Sequence, residues 1–276
     1  MPTLTFSANG KYLFSGHIKE VRVWRVEDGK EMARLEAEYV SCLAVSKDGK
    51  WVAAAGGTVR DYVVVWDANT YKERCRWRTE TVDGLDFSPD ATRLVAASRD
   101  KTATIWDVAT EQAVRRLWHK DWVYTAKYSP EGDRIATATS DQVQVWDSED
   151  GRLLHEIQVS CGDQVGLVWI YNLLFVTSKD KVWKIKGTTV SKWSIPQSKG
   201  TSRIAVQSHG EFVVYTTTCT VRFWDVSTHA QLPPIQHSRD IKSVALSPDD
   251  QFIAIAGYDR KITIKRPSHI SVSIAC

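Results

Sequence analysis

The residues best placed to do chemistry in this 276-residue chain lie in one stretch, 118–147, which carries an imidazole at His119, a hydroxyl at Thr137 and a carboxylate at Asp141. A base, a nucleophile and an orienting carboxylate are what acyl transfer uses, so a hydrolase reading has to be weighed. Other chemistries have less to stand on. The seven histidines show no His-x-His or His-Glu-x-x-His spacing, which leaves a catalytic metal without support. The five cysteines are odd in number and scattered, with no Cys-x-x-Cys, so neither a disulfide framework nor a zinc site is suggested. Gly56-Gly57 lacks the G-x-x-x-x-G-K-[ST] context of a phosphate loop and reads as a tight or bulged connection between strands. No cofactor is expected.

The elements that must position these groups can be read from the same stretch. Three runs of alternating or β-branched character, 123–128, 134–139 and 142–146, read as strands. Ser129-Pro130-Glu131-Gly132 separates the first two, where Pro presets φ for a turn and Gly can take the positive φ that closes it. Ser140-Asp141 joins the second to the third, which ends in Trp146-Asp147. Three antiparallel strands follow.

These parts recur along the chain. A Trp closes the third strand of each unit at Trp24, Trp66, Trp106, Trp146, Trp183 and Trp224, at spacings of 42, 40, 40, 37 and 41 residues, and Lys265 stands 41 further on. A turn motif keeps the same beat at Ser7-Ala8-Asn9-Gly10, Ser46-Lys47-Asp48-Gly49, Ser88-Pro89-Asp90, Ser129-Pro130-Glu131-Gly132, Gln207-Ser208-His209-Gly210 and Ser247-Pro248-Asp249. Two independent markers with one period of about 40 residues, four strands per unit and a Trp-Asp signature mark the blades of a propeller. Unit five departs, with no Ser-Pro-Asp turn after Trp169, a short connection through Lys179 and Asp180, and Lys184 after its Trp.

At these residues the chain resembles the WD-repeat (WD40) family, and the resemblance covers essentially all 276 residues. It implies an all-β fold, a seven-bladed β-propeller of four-stranded antiparallel blades, forming a single domain over 1–276. No residues stand upstream of the first unit to lend a closing strand. The alternating tail 269–274 is therefore expected as the outermost strand of blade seven.

The resemblance also implies roles for polar residues. Members commonly pin a blade with a buried tetrad of His, Ser or Thr, Asp and Trp, and unit four matches it throughout with His119, Thr137, Asp141 and Trp146. Units three and seven match in part, with Ala96 and Ile255 at the hydroxyl position. A buried structural tetrad accounts for the order and spacing better than catalysis does, because burial of an Asp requires hydrogen bonds that His and hydroxyl supply.

Partners in this family dock on the face where the tetrad loops emerge. The positions that point there are Arg60, Arg99, Ser140, Lys179, Tyr258, Trp122, Tyr124, Arg203 and Lys242, and Arg and aromatic side chains are what interface anchors are made of. The function implied is a non-enzymatic scaffold for protein or peptide partners.

A second feature supports an alternative. The outer strands of units two and three interleave Arg74, Arg76, Trp77 and Arg78, then Arg115, Arg116, Trp118, His119, Lys120 and Trp122, a text that can bind a phosphate backbone and stack bases. An edge strand with Trp inward and Arg outward gives the same text and is favoured over nucleic-acid binding. The net charge of +3, from 36 basic and 33 acidic residues, is too small to imply nucleic acid by itself. No secretory signal is evident. The longest nearly apolar run, 165–176, falls short of the ~18 residues that span a bilayer, so no membrane insertion is expected. A monomeric, soluble protein of the cytoplasm or nucleus, with reduced thiols, is the expectation.

Overall fold

The computed structural model of the chain describes residues 3–56, 61–160, 162, 165–178, 181–194, 204–206, 212–216, 218–225, 228, 230–259 and 261–266. These form seven antiparallel meander sheets arranged as the blades of a β-propeller, spanning 3–36, 40–78, 82–118, 125–158, 166–194, 204–236 and 241–265. Six sheets have four strands and the seventh has three among the described residues. The expected fourth strand of that blade, 269–274, lies outside them.

Blade four shows how sequence becomes sheet. Its strands are Thr125–Tyr128, Arg134–Ala138, Gln142–Asp147 and Leu153–Gln158. The middle two are buried on both faces, because each blade is sandwiched between two neighbours, while the fourth is largely exposed. The apolar clusters accordingly lie between blades. Val95, Ile105 and Leu117 of blade three pack against Val123, Ala126 and Ile135 at the start of blade four.

The recurring Ser is a clamp for the turn between first and second strands. Ser7, Ser46, Ser88, Ser129 and Ser247 are all buried, and each hydroxyl accepts the backbone N–H five residues on, at 2.9 to 3.1 Å. Each also donates to the turn's Asn or Asp, from Asn9 to Asp249. The residue that closes the turn takes positive φ: Gly10, Gly49 and Gly132 at no steric cost, but also Ala91 at 60° and Asp250 at 56°.

The Asp of the Trp-Asp pair caps the neighbouring turn on the same side of the blade, between third and fourth strands. Asp67 accepts the N–H groups of Asn69 and Thr70, Asp107 that of Thr110, and Asp147 those of Glu149 and Asp150. These backbone bonds hold all three carboxyls below the usual carboxylate range.

The ring closes by packing of blade one on blade seven. Leu4, Phe6 and Leu13 share a cluster with Ala245, Ala254 and Ala256, and the Leu4 N–H donates to Ser243 Oγ at 3.1 Å.

Blade five corrects the sequence reading. Strand pairing sets Ile185 against Leu174, as Trp146 is set against Ile135, so Ile185 and not Trp183 occupies the position of the blade-closing Trp. Trp183 pairs with Val176 two residues earlier and stays buried, since a shift of two keeps a side chain on the same face. Both hairpins on one side of this blade are cut to two residues, Tyr171-Asn172 and Gly187-Thr188.

Candidate functional site

Successive antiparallel strands put the loops between second and third strands, and those leading into each first strand, on the same face. There the sequence places His119, Asp141 and most of the candidate anchors.

In blade four the structure joins His119, Thr137 and Trp146 in one chain. Trp146 Nε1 donates to Thr137 Oγ1 at 2.8 Å, and Thr137 Oγ1 lies 2.8 Å from His119 Nε2. His119 Nδ1 faces the Leu117 carbonyl at 3.0 Å. A carbonyl only accepts, so Nδ1 carries the proton and Nε2 accepts from the Thr137 hydroxyl. Asp141 is not part of this chain. It is exposed, and its carboxylate accepts from Thr139 Oγ1 at 2.9 Å; the Leu117 carbonyl has taken the place expected for it. Burial lowers the His119 pKa to about 4, only partly offset by its backbone bonds. Thr137 has no exposed surface and its hydroxyl is engaged on both sides, so it is a structural pin and not a reachable nucleophile.

Blade one repeats the pin with a histidine from the other loop, which the sequence reading missed. Trp24 Nε1 donates to Ser15 Oγ at 2.8 Å, and Ser15 Oγ lies 2.9 Å from His17 Nε2, His17 coming from the connection between second and third strands. Among the described residues blade three has no such bond: Ala96 stands at the hydroxyl position and the buried Nε1 of Trp106 has no partner. In blade seven His237 Nε2 lies 3.7 Å from Asp259, while Ile255 and Lys265 hold the other two positions.

The candidate anchors that the structure describes fall into two groups on the loop face. Arg60, Lys179 and Arg203 lie outside the described residues. Across blades three and four, Arg99 makes two bonds to Asp83, at 2.7 and 3.2 Å, and its guanidinium sits 5.2 Å from the Trp122 ring centre. Trp122 meets Tyr124 edge to face at 6.5 Å. The backbone under these side chains is fixed: Val123 N–H donates to the Ser98 carbonyl and Tyr124 N–H to that of Ala138. Ser140 Oγ donates to Asp121 at 3.0 Å, whose other oxygen takes the Trp122 N–H. Trp122 is 43% exposed all the same.

In blade seven the Lys242 ammonium lies 3.8 Å from the ring centre of Tyr258, which is 62% exposed. Two further exposed apolar residues on this face, Ile18 and Tyr39, escaped the sequence reading. Tyr39 N–H donates to the Ile18 carbonyl, and its positive φ could not be read from its residue type.

The outer strands behave differently from expectation. Trp77 does turn inward, stacking on Trp106 at 4.9 Å, but Trp118 points outward and is 66% exposed. Arg74 is paired with Glu111 and Arg76 with Glu73, while Arg115 reaches the Glu149 carbonyl. Arg78 and Arg116 remain exposed. No helix among the described residues is long and apolar enough to cross a membrane.

Comparison with known proteins agrees with this geometry. Residues 29–67, 73–107, 112–147 and 232–264 match the WD40 family model, described as WD domain, G-beta repeat. Protein groucho of Drosophila melanogaster is 23% identical over 287 residues, covering 95% of this chain and 38% of that protein. Apoptotic protease-activating factor 1 of Rattus norvegicus is 27% identical over 199 residues, covering 69% and 16%. The chain thus spans less than two fifths of either relative.

Among solved structures, the β-propeller domain of Myceliophteria thermophila Cps50 (Swd1) superposes with a TM-score of 0.85 at 16% identity, covering 97% of both chains. Kuenenia stuttgartiensis hydrazine synthase gives 0.85 at 16%, covering 96% and 95%. At such identity the likeness concerns the fold alone. With more than half of its residues matched by the family model and its seven sheets closed into a ring, the chain belongs to the WD40 family of WD-repeat β-propellers.

Proposed function

We propose that this protein is a non-enzymatic platform that holds protein or peptide partners on its loop face, with Arg99, Trp122, Tyr124 and Tyr258 among the anchors and the buried Lys242 supporting the Tyr258 ring. The observation that carries this reading is the Arg99–Trp122–Tyr124 group, with Arg99 and Trp122 exposed and Tyr124 half-buried, yet fixed in its backbone by strands of two blades. An anchor already held in place loses little freedom on binding, which is the main cost that a rigid surface avoids. Four of the exposed large apolar residues, Ile18, Tyr39, Trp122 and Tyr258, gather on this face.

Nucleic-acid binding by the outer strands has less support, because Arg74 and Arg76 are already neutralised by glutamates and Trp77 is turned away from solvent. A monomeric propeller of the cytoplasm or nucleus fits the free Cys42 and Cys75, whose thiols burial pushes up to about 12, away from disulfide chemistry. The test is partner capture by folded variants of Trp122 and Tyr258.

A further inference from the structure

Two of the boundaries between neighbouring blades are latched on the side opposite the loop face. From blade two, Arg74 donates to the Ala109 carbonyl at 3.0 Å and to the Glu111 carboxylate at 2.6 Å, both in the turn between third and fourth strands of blade three. Trp77 Nε1 donates to the Glu111 carbonyl of the same turn at 3.0 Å. From blade three, Arg93 reaches the Ser148 carbonyl and the Glu149 carboxylate of blade four, and Arg115 donates to the Glu149 carbonyl at 2.9 Å. Gly151 leaves room for that arginine, since a Cβ there would overlap the Arg115 side chain. Each latch sets cations against main-chain carbonyls and one carboxylate on a tight turn.

Blade four carries the same latch positions toward blade five. Arg134 stands where Arg93 does, opposite the capping Asp, and His155 stands where Arg115 does. The turn that should receive them is gone, reduced to Gly187-Thr188, and the neighbouring first hairpin is reduced to Tyr171-Asn172. Ile185 replaces the blade-closing Trp. What remains between the blades is a cleft of about 520 Å³, within the range of ligand pockets.

Apolar side chains of Val145, Trp169, Leu174 and Ile185 line the cleft, with Arg134, His155 and Lys186 around it and the carboxylates of Glu131 and Asp133 at the blade-four edge. Arg134 has only its neighbour Asp133, at 3.4 Å, and Lys186 makes no ion pair among the described residues. The buried Trp169 Nε1 has no acceptor.

The geometry points to a second docking site, separate from the loop face: this cleft takes a short turn-forming peptide segment of a protein partner, bearing an acidic residue. The peptide supplies what the missing turn of blade five does not. Its carboxylate meets Arg134 and Lys186, as the Glu149 carboxylate meets Arg93, while Trp169 forms part of the apolar wall.

The chain's own turn provides the probe: a capped hexapeptide with the sequence of residues 147–152, Asp-Ser-Glu-Asp-Gly-Arg. The indole signal of Trp169, assigned in ¹⁵N-labelled full-length protein by its loss in Trp169→Phe, should move saturably on titration with this peptide. Arg134→Ala, at an exposed position, should weaken binding by about tenfold. Ile185→Trp, which restores the residue of the other blades and fills the cleft, should abolish it. A peptide with lysines for its two inner acidic residues should leave the signal in place.

No movement of the Trp169 signal at millimolar peptide overturns the proposal, as does binding of equal strength in Arg134→Ala and Ile185→Trp. A signal that moves with protein concentration alone assigns the cleft to a second copy of the chain and overturns it equally. Loss of partner capture through Trp122 leaves this outcome untouched, so the two sites are tested apart.

Discussion

Trp146 Nε1 and Thr137 Oγ1 meet at 2.8 Å across the paired middle strands of blade four, at the centre of a polar chain that ends on a main-chain carbonyl. Trp146→Ala removes a buried aromatic and should cost about 3 to 5 kcal/mol. Thr137→Val keeps the shape but strands the indole N–H, at about 1 to 3 kcal/mol. Asp141→Ala, at an exposed residue outside the chain, should stay within about 1 kcal/mol of wild type. Urea denaturation of the three variants checks the order; an Asp141 variant as unstable as the Trp146 one would restore Asp141 to the pin.

The same chain makes stability depend on pH. The folded His119 pKa of about 4 lies below the ordinary histidine value of 6.5, so the folded state resists a proton that the unfolded chain accepts. Its contribution is complete above pH 6.5 and is lost as the pH falls toward 4, amounting to about 3 kcal/mol over that window. His17, lowered mainly by burial, acts in the same direction. His119→Gln should therefore be less stable than wild type at pH 7 but lose less between pH 7 and 4.5. Parallel losses in denaturant midpoint would show that His119 does not titrate as described.

Blade three offers a gain. Its Trp106 Nε1 is buried without a partner because Ala96 stands where blades one and four have Ser15 and Thr137. Ala96→Ser should supply the acceptor and add about 1 kcal/mol, seen as a melting temperature roughly 2 to 4 °C higher. A lower melting temperature would mean that the site cannot admit the hydroxyl in the bonding rotamer.

Much of the fold was legible because its markers act through hydrogen bonds to backbone close by in sequence. The Ser of each Ser-Pro-Asp turn and the Asp of each Trp-Asp pair bond to backbone within a few residues, so local sequence suffices to place them. Blade five misled for a physical reason. Trp183 falls two residues from Ile185, and a two-residue step in a strand returns to the same buried face, so periodicity alone cannot tell the two registers apart. The short spacing of 37 and the missing Ser-Pro-Asp turn after Trp169 were the hints of trimmed hairpins.

The pins were half legible. That His119 and Thr137 would meet followed from the pattern, but Nδ1 had two acceptors within reach of the argument, a carboxylate and a carbonyl, and residue types do not rank them. His17 was invisible as a pin because it arrives from a different loop. On the loop face, residue type pointed to Trp122 and Tyr258, whereas Ile18 and Tyr39 became apparent only through their exposure.

Docking of partners on the loop face is tested most directly by pairing a thermal melt with quantitative partner capture for three proteins. They are wild type, the double variant Trp122→Ala with Tyr258→Ala, and an outer-rim variant, Arg78→Glu with Arg116→Glu. The rim pair is exposed and carries neither a latch, as Arg115 does, nor an ion pair within the blade, as Arg76 does, so its folding should be unaffected. Truncating an interface anchor costs about 2 kcal/mol or more, roughly thirtyfold in affinity. The account predicts that the loop-face variant melts like wild type yet loses its partners at least thirtyfold, while the rim variant keeps them. A folded loop-face variant that retains every partner, beside a rim variant that loses them, would contradict it.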